Sequence, residues 1–292
     1  MKRRALGRDF GLSCRMAVAL VLLIATYCAI VALVAFLIAY RPSYSWLWAL
    51  AGGALGIALA NRYRDGGEAI LRSLNAVTMP LEADHNVHSV VARLAGLAGV
   101  PTPRVAVAAT SAPNALAVGL RRASSTVVVT QGLLDLLDPR ELEAVLAHEI
   151  AHLANRNAAV MTAVSAPRVL GEVVVGGSSS GLGTFWLVGW PLGLIPLGLG
   201  TGLTLTVSRY REFSADRGSA ILTGAPEQLM SALVKLAGHA DEIPHEDLRA
   251  ANAFCIVSTE AHALSVFSDH PALKKRLAAL AEIAREMGKP VS

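Results

Sequence analysis

Apolar runs without a single charge alternate along this chain with stretches that carry the periods of soluble helices and strands. The first run, Met16 to Tyr40, is long enough to cross a bilayer core as a helix. A second, Tyr44 to Ala60, follows after only Arg41, Pro42 and Ser43, with Trp46, Trp48 and Tyr63 where a membrane interface would suit them. A cleaved signal peptide has a shorter apolar core and no second run close behind it. The pattern therefore predicts an N-terminal transmembrane hairpin over residues 1–61, with spans at about 16–40 and 44–60. Lys2, Arg3, Arg4, Arg8 and Arg15 precede it and Arg62 and Arg64 follow it, so both ends belong on the cytoplasmic side.

Residues 62–157 read as an α+β segment. A helix through about residue 78 stops at Pro80, and another, about His85 to Leu97, stops at Gly99-Val100-Pro101. Three β-rich stretches follow: Arg104 to Ala108, Ala115 to Leu120 and Thr126 to Thr130, divided by turn signals at Pro113-Asn114 and Arg121 to Ser124. Asp138-Pro139-Arg140-Glu141 then combines an N-cap Asp, a Pro at the first helical position and a Glu at the third. That is a strong start for a helix of roughly 18 residues, with Leu142, Val145, Leu146, Ile150 and Leu153 as its buried stripe.

Residues 158–207 turn apolar again. Trp186 to Val207 has no charge but contains Pro191 and Pro196, while Ala158 to Gly177 holds Pro167, Arg168 and Glu172. Arg168 and Glu172 are four apart and can pair on one helix face. The preferred reading is a second membrane-associated hairpin; the competing one lays residues 158–178 along the membrane surface. Residues 208–292 return to soluble composition. Helices are expected from Ser208 to about Leu222, ending at Gly224, from Pro226 to Ala237, and from Pro271 to Met287; a polar linker at His245 to Asp247 and a short strand at Phe254 to Val257 lie between.

Composition agrees with a chain partly dissolved in lipid. Of its 292 residues 53% are hydrophobic and 16% charged, and the mean hydropathy is +0.49. A net charge of +4 is too mild, and too concentrated at the N-terminus, to suggest nucleic acid as a partner. Arginine outnumbers lysine and alanine is abundant, which points to a GC-rich bacterial genome. Cys14, Cys28 and Cys255 form no CxxC and suggest no disulfide framework.

The chemistry centres on His148-Glu149-Ile150-Ala151-His152, inside the well-capped helix. Two histidines four apart share a helix face and can reach one zinc ion, with Glu149 close to the metal's open position. A hydrolytic zinc needs a third protein ligand. No further histidine follows at the short spacing of an extended motif, so the ligand is distant. His85, His88, His239, His245, His262 and His270 are candidates, together with the acidic residues downstream. Glu212 fits best, with Asp216 one turn on to orient an imidazole through its other ring nitrogen. The bland reading, a solvated salt-bridged face around Arg209, Arg211 and Arg217, loses weight once the histidine motif sits in a capped helix.

The tracts AVLAHEIAHLANRN (144–157), SRYREFSADRGSA (208–220) and SDHPALKKRLAAL (268–280) resemble the M48 zinc metallopeptidases, which include the HtpX-like membrane proteases and the Ste24-type CAAX prenyl proteases. The resemblance covers most of the chain. It implies an integral membrane zincin of the gluzincin type, α+β and mostly helical, with a small β-sheet and the second hairpin inserted between the zinc-ligand helices. His148, His152 and Glu212 would hold one Zn2+ per subunit, Glu149 would be the catalytic acid/base, and Asp216 would orient a zinc histidine. His270 would help stabilise the oxyanion, although its tract reads S-D-H-P where the family usually has S-T-H-P. Asn114 would open a strand that binds substrate backbone, with Leu116 in place of the common aromatic.

Because His148 and Glu212 must meet at one ion, the chain between them crosses the membrane an even number of times. The expected protein is thus a multi-pass zinc endopeptidase of the bacterial cell membrane. Its site faces the cytoplasm, and its partners are the lipid bilayer and polypeptide substrates, above all misfolded or damaged membrane proteins. The alternatives are a CAAX-type processing protease and a non-proteolytic membrane protein that uses the metal site as a structural or binding module. An intact Glu149 argues against the latter.

Overall fold

The computed structural model describes residues 71–80, 85–119, 124–155, 185–239 and 271–289 without a break, and scattered positions between 18 and 68 and between 161 and 175. The chain divides into two units, one of residues 1–7, 67–159 and 208–292, the other of residues 8–66 and 160–207.

In the first unit four strands form one sheet. They are β1 (Val77–Thr78), β2 (Arg104–Ala108), β3 (Ala115–Val118) and β4 (Thr126–Thr130), in the spatial order β1-β2-β4-β3. β2 and β4 run parallel, and the two outer pairings are antiparallel. Every residue of β4 is buried, as expected of a central strand covered on both faces. Val105, Ala115, Val127 and Val129 join the main core under the helices. Ala106, Ala108, Leu116, Val118 and Val128 face the other way, onto Leu71, Leu74 and Ala76. β3 is an edge strand of the sheet among the described residues.

The helices are α1 (His85–Ala98), α2 (Gln131–Leu136), α3 (Pro139–Ala154), α4 (Phe185–Thr223), α5 (Pro226–Gly238) and α6 (Leu273–Glu286). The cap read from the sequence at the start of α3 is present. Asp138 accepts from the N–H groups of Arg140 and Glu141, and Glu141 accepts from the Asp138 N–H at 3.0 Å. Glu141 also receives Ser231 Oγ and Lys235 Nζ, each at 2.6 Å, so the same buried carboxylate pins α3 onto α5. α3 is buried almost all round, from Ala144 through Ala151, because sheet, α1 and α5 all pack on it.

In the second unit, helical residues 167–172 meet the first part of α4 at very short range. A Cβ on Gly171 would come within 2.4 Å of Leu197, and one on Gly200 within 2.3 Å of the Arg168 backbone. Pairing 171 with 197 and 168 with 200 makes the two segments antiparallel, with small residues letting the backbones touch. The expected Arg168–Glu172 pair is made, at 2.8 Å. Among the described residues no helix is long and apolar enough to cross a membrane. The runs 16–40 and 44–60 are described only at isolated positions, so the N-terminal hairpin lies outside the described residues.

Several local expectations are corrected. The helix expected to reach residue 78 ends at Ser73; Asn75 takes φ 47°, a conformation Asn tolerates, and Val77 and Thr78 pair with Val107 and Ala106. β3 stops at Val118, before Gly119 at φ 125°. α2 was not expected: Gln-Gly-Leu-Leu-Asp-Leu is too short to show a period, and Thr130 caps it by accepting from the Leu133 N–H. The helix expected to begin at Ser208 is the end of α4, which continues through Pro191 and Pro196. Each proline removes one main-chain bond without ending the helix. The linker at His245 to Asp247 and the strand at Phe254 to Val257 lie outside the described residues.

The Asp138 carboxyl is held below its usual range, first by the Glu141 N–H. A carboxylate stabilised in the folded state contributes most above its unfolded pKa and loses that contribution as pH falls. Asp138→Ala should therefore lower the melting temperature at neutral pH, and the gap to wild type should close below about pH 4, as read by circular dichroism in detergent.

Candidate metal centre

α3 and the last part of α4 are held together by contacts that bring their polar side chains to one place. A Cβ on Gly218 would come within 2.5 Å of Ala151 Cβ. On one side of this contact Ser219 Oγ donates to the Ala144 carbonyl at 2.7 Å, and on the other Asn155 Nδ2 donates to Ser214 Oγ at 3.1 Å. The two helices thus run antiparallel at close range, which only a glycine at position 218 permits without a shift.

At this crossing His148 and His152 present their Nε2 atoms 3.1 Å apart, their rings edge to face. Glu212 reaches them from α4, with Oε2 3.5 Å from His148 Nε2 and Oε1 3.5 Å from His152 Nε2. Ligand atoms on a tetrahedral zinc with bonds near 2.0–2.1 Å stand about 3.3–3.4 Å apart. The imidazole nitrogens stand close to that spacing and each has one Glu212 oxygen at 3.5 Å, so two imidazole nitrogens and a carboxylate are compatible with a zinc ion in chemistry and in approximate spacing. Glu149 lies beside them: one ligand atom from each of His148, Glu149 and His152 falls within 4.8 Å of the other two. Its carboxylate also accepts from the backbone N–H of Ala117 on β3.

Behind the imidazoles, Asp216 Oδ1 lies 3.0 Å from His148 Nδ1. At that distance the two side chains form an ion pair, without a hydrogen bond of standard geometry. Arg276, from α6, donates to both Asp216 oxygens, Nε to Oδ2 at 2.8 Å and Nη2 to Oδ1 at 2.6 Å, and its Nη1 is 3.8 Å from Glu212 Oε2. On the other side Arg211 Nη2 stands 3.5 Å from Glu212 Oε1. His148, Glu149, Glu212, Asp216 and Arg276 are all buried.

Burial and neighbours shift these groups in different directions. Burial pulls the His148 imidazolium down, but Asp216 and Glu212 outweigh it and push His148 up to about 9. For His152 burial dominates and holds it well below the usual value, as a neutral imidazole. Burial, with help from Glu212 and against His148 and Arg211, raises Glu149 to about 7, where it can take up and release a proton near neutral pH. Burial also works against the charges of Asp216 and Arg276, yet each holds the other ionised: Asp216 stays below and Arg276 above its usual range.

The structure therefore brings together His148, Glu149, His152, Glu212 and Asp216, five of the residues singled out in the sequence. Asn114 is buried just before β3, with its backbone tied to Thr130: its N–H donates to Thr130 Oγ1 at 2.8 Å, and its carbonyl accepts from the Thr130 N–H at 3.0 Å. His239 serves the end of α5, its Nδ1 2.9 Å from the Lys235 carbonyl. His245, His262 and His270 lie outside the described residues. Sequence reasoning missed Arg276. The available signal was an arginine on the buried stripe of an amphipathic helix, in register with Leu280 and Ile283.

Residues 82–284 match the family model of Peptidase family M48. Protease HtpX homolog 2 of Methanosarcina mazei is 36% identical over 300 residues, covering 98% of this chain and 99% of the relative. Protease HtpX homolog of Moorella thermoacetica is 39% identical over 302 residues, covering 98% of each. Among solved structures, that of S. mikatae Ste24p shares the fold at a TM-score of 0.53 and 21% identity, over 92% of this chain and 66% of that one.

The Gly218–Ala151 contact gives a direct test of how the crossing is built. Gly218→Ala should cost about 1–3 kcal/mol of stability through overpacking. Ala151→Gly in the same chain should recover part of that loss, as read by thermal or denaturant unfolding.

Proposed function

The chain belongs to peptidase family M48, and from that premise we propose that it is a membrane-bound, zinc-dependent endopeptidase. The reading rests above all on one observation: His148, His152 and Glu212 converge close to the spacing of a tetrahedral zinc shell, with Glu149 beside them. Those three residues would hold the ion, and Asp216 would orient His148 from behind. Zinc in such a site supplies Lewis acidity, polarising a carbonyl and lowering the pKa of a water to about 7.

The chain's own residues carry the proton traffic. Glu149 takes a proton from the water as its oxygen bonds to the scissile carbonyl carbon. Glu149 then delivers a proton to the leaving nitrogen as the C–N bond breaks. Its dry setting suits both roles, since a carboxyl raised to about 7 is neither permanently charged nor permanently protonated. β3 would take substrate main chain as an added strand along the edge away from β4, with Asn114 just before that strand. His270 is the proposed donor to the oxyanion.

The membrane reading rests on the charge-free runs 16–40 and 44–60 and on the glycine-mediated contact between residues 167–172 and α4. An even number of crossings between His148 and Glu212 keeps the site on the cytoplasmic face of a bacterial cell membrane. The relatives are named as proteases, which supports polypeptide substrates; membrane polypeptides, misfolded or damaged, are the substrate class proposed from the M48 resemblance of the tracts 144–157, 208–220 and 268–280.

Purified full-length protein in detergent, loaded with zinc, should cleave a casein-like or membrane-protein substrate. Glu149→Gln should retain the metal and lose about 10²–10⁴-fold in rate. Chelation should abolish wild-type activity and added zinc should restore it. A Glu149→Gln variant that cleaves as fast as wild type would end the enzyme reading.

A further inference from the structure

α6 is an amphipathic helix whose inward stripe includes Leu280, Ile283 and Ala284, while Lys274 and Lys275 face outward. Arg276 breaks this pattern. It sits on the apolar side at 2% exposure, where a leucine would pack without removing a charge from water. A buried cation is costly unless compensated, and buried ion pairs often add nothing to stability compared with apolar packing. Its presence here needs another cause, and the nearest one is the pair of carboxylates on α4.

Glu212 and Asp216 are one turn apart and both 1% exposed, so each disfavours the other's charge. Arg276 meets both, but unequally. It closes a two-pronged bond on Asp216 at 2.8 and 2.6 Å and approaches Glu212 at 3.8 Å. The fork fixes the plane of the Asp216 carboxylate, because both of its oxygens are engaged. Oδ1, shared with Arg276 Nη2, is also the atom 3.0 Å from His148 Nδ1. The direction in which Asp216 meets His148 is thus set from α6. A carboxylate paired with an imidazole at Nδ1 leaves Nε2 for a metal, and such outer partners govern ligand orientation.

We infer that Arg276 is a positioning residue of the metal centre: it aims Asp216, and through it His148, and so makes the seating of α6 a condition for a complete ligand set. This rests on the metal reading above and extends it to a residue that touches neither ion nor substrate. A salt bridge that merely pins α6 would use the same contacts, and the two roles separate by what each controls. Pinning controls melting temperature; positioning controls metal affinity through Asp216.

The test is a cycle in the full-length protein in detergent, with Arg276→Lys, Asp216→Asn and the two combined. Cobalt(II) is the probe: its affinity is read by chelator competition and its ligand geometry by the d–d spectrum, with melting temperature measured in parallel. Lysine keeps the charge and favours folding but cannot form the fork. Arg276→Lys should weaken cobalt binding about tenfold and alter the spectrum, and Asp216→Asn should weaken it about 10–100-fold. The double variant should bind within about threefold of Asp216→Asn alone, because the arginine acts through the aspartate. Arg276→Lys binding as tightly as wild type, whatever its melting temperature, would overturn the inference, as would losses that multiply in the double variant. Wild type that takes up no cobalt would instead overturn the metal reading itself.

Discussion

Two carboxylates one helical turn apart cannot stay ionised in a dry interior without cations close by, and Glu212 with Asp216 poses that problem at the heart of this chain. Much of the surrounding architecture answers it. Arg276 arrives from α6, Arg211 flanks Glu212 on α4, and His148 leans on both acids from α3. The same two acids push the His148 imidazole toward its protonated form. A divalent cation among His148, His152 and Glu212 would meet the same demand without a proton. Two imidazole nitrogens and a carboxylate beside that demand are a donor set that suits zinc.

This electrostatic arrangement depends on how closely two helices can approach. The Gly218–Ala151 contact and the Ser219–Ala144 bond set α4 against α3, and Glu141 fastens α3 to α5 from its first turn. The sheet beneath supplies a rigid floor because β4 is buried on both faces, and it brings the edge strand β3 next to Glu149 through Ala117. Polar side chains from segments distant in sequence are therefore registered by packed backbone rather than by loops, which is how a site retains its spacing.

Sequence reading succeeded where the signal is local and chemical. The Asp-Pro-Arg-Glu cap placed α3, β-rich stretches between turn signals placed β2 and β4 to the residue, and the two-histidine spacing with a distant carboxylate singled out side chains that the structure brings together. It failed where tertiary contact decides. Val77 and Thr78 are a strand because β2 is there to pair with them. Arg276 looked like one more charge beside Lys274 and Lys275, and its meaning depends on which face of α6 is buried. Gly218 carries no pattern of its own; its value lies in the Ala151 methyl it leaves room for.

The central claim is that His148, His152 and Glu212, from helices separated by the apolar insertion, hold one zinc ion. Zinc K-edge X-ray absorption of the purified full-length protein, compared with its Glu212→Gln variant, tests it most directly. The account predicts one zinc per chain in wild type, with two imidazoles and light oxygen donors at about 2.0–2.2 Å, and a shell that changes or empties in the variant. A sulfur donor in the shell, or an identical shell in both proteins, would contradict it.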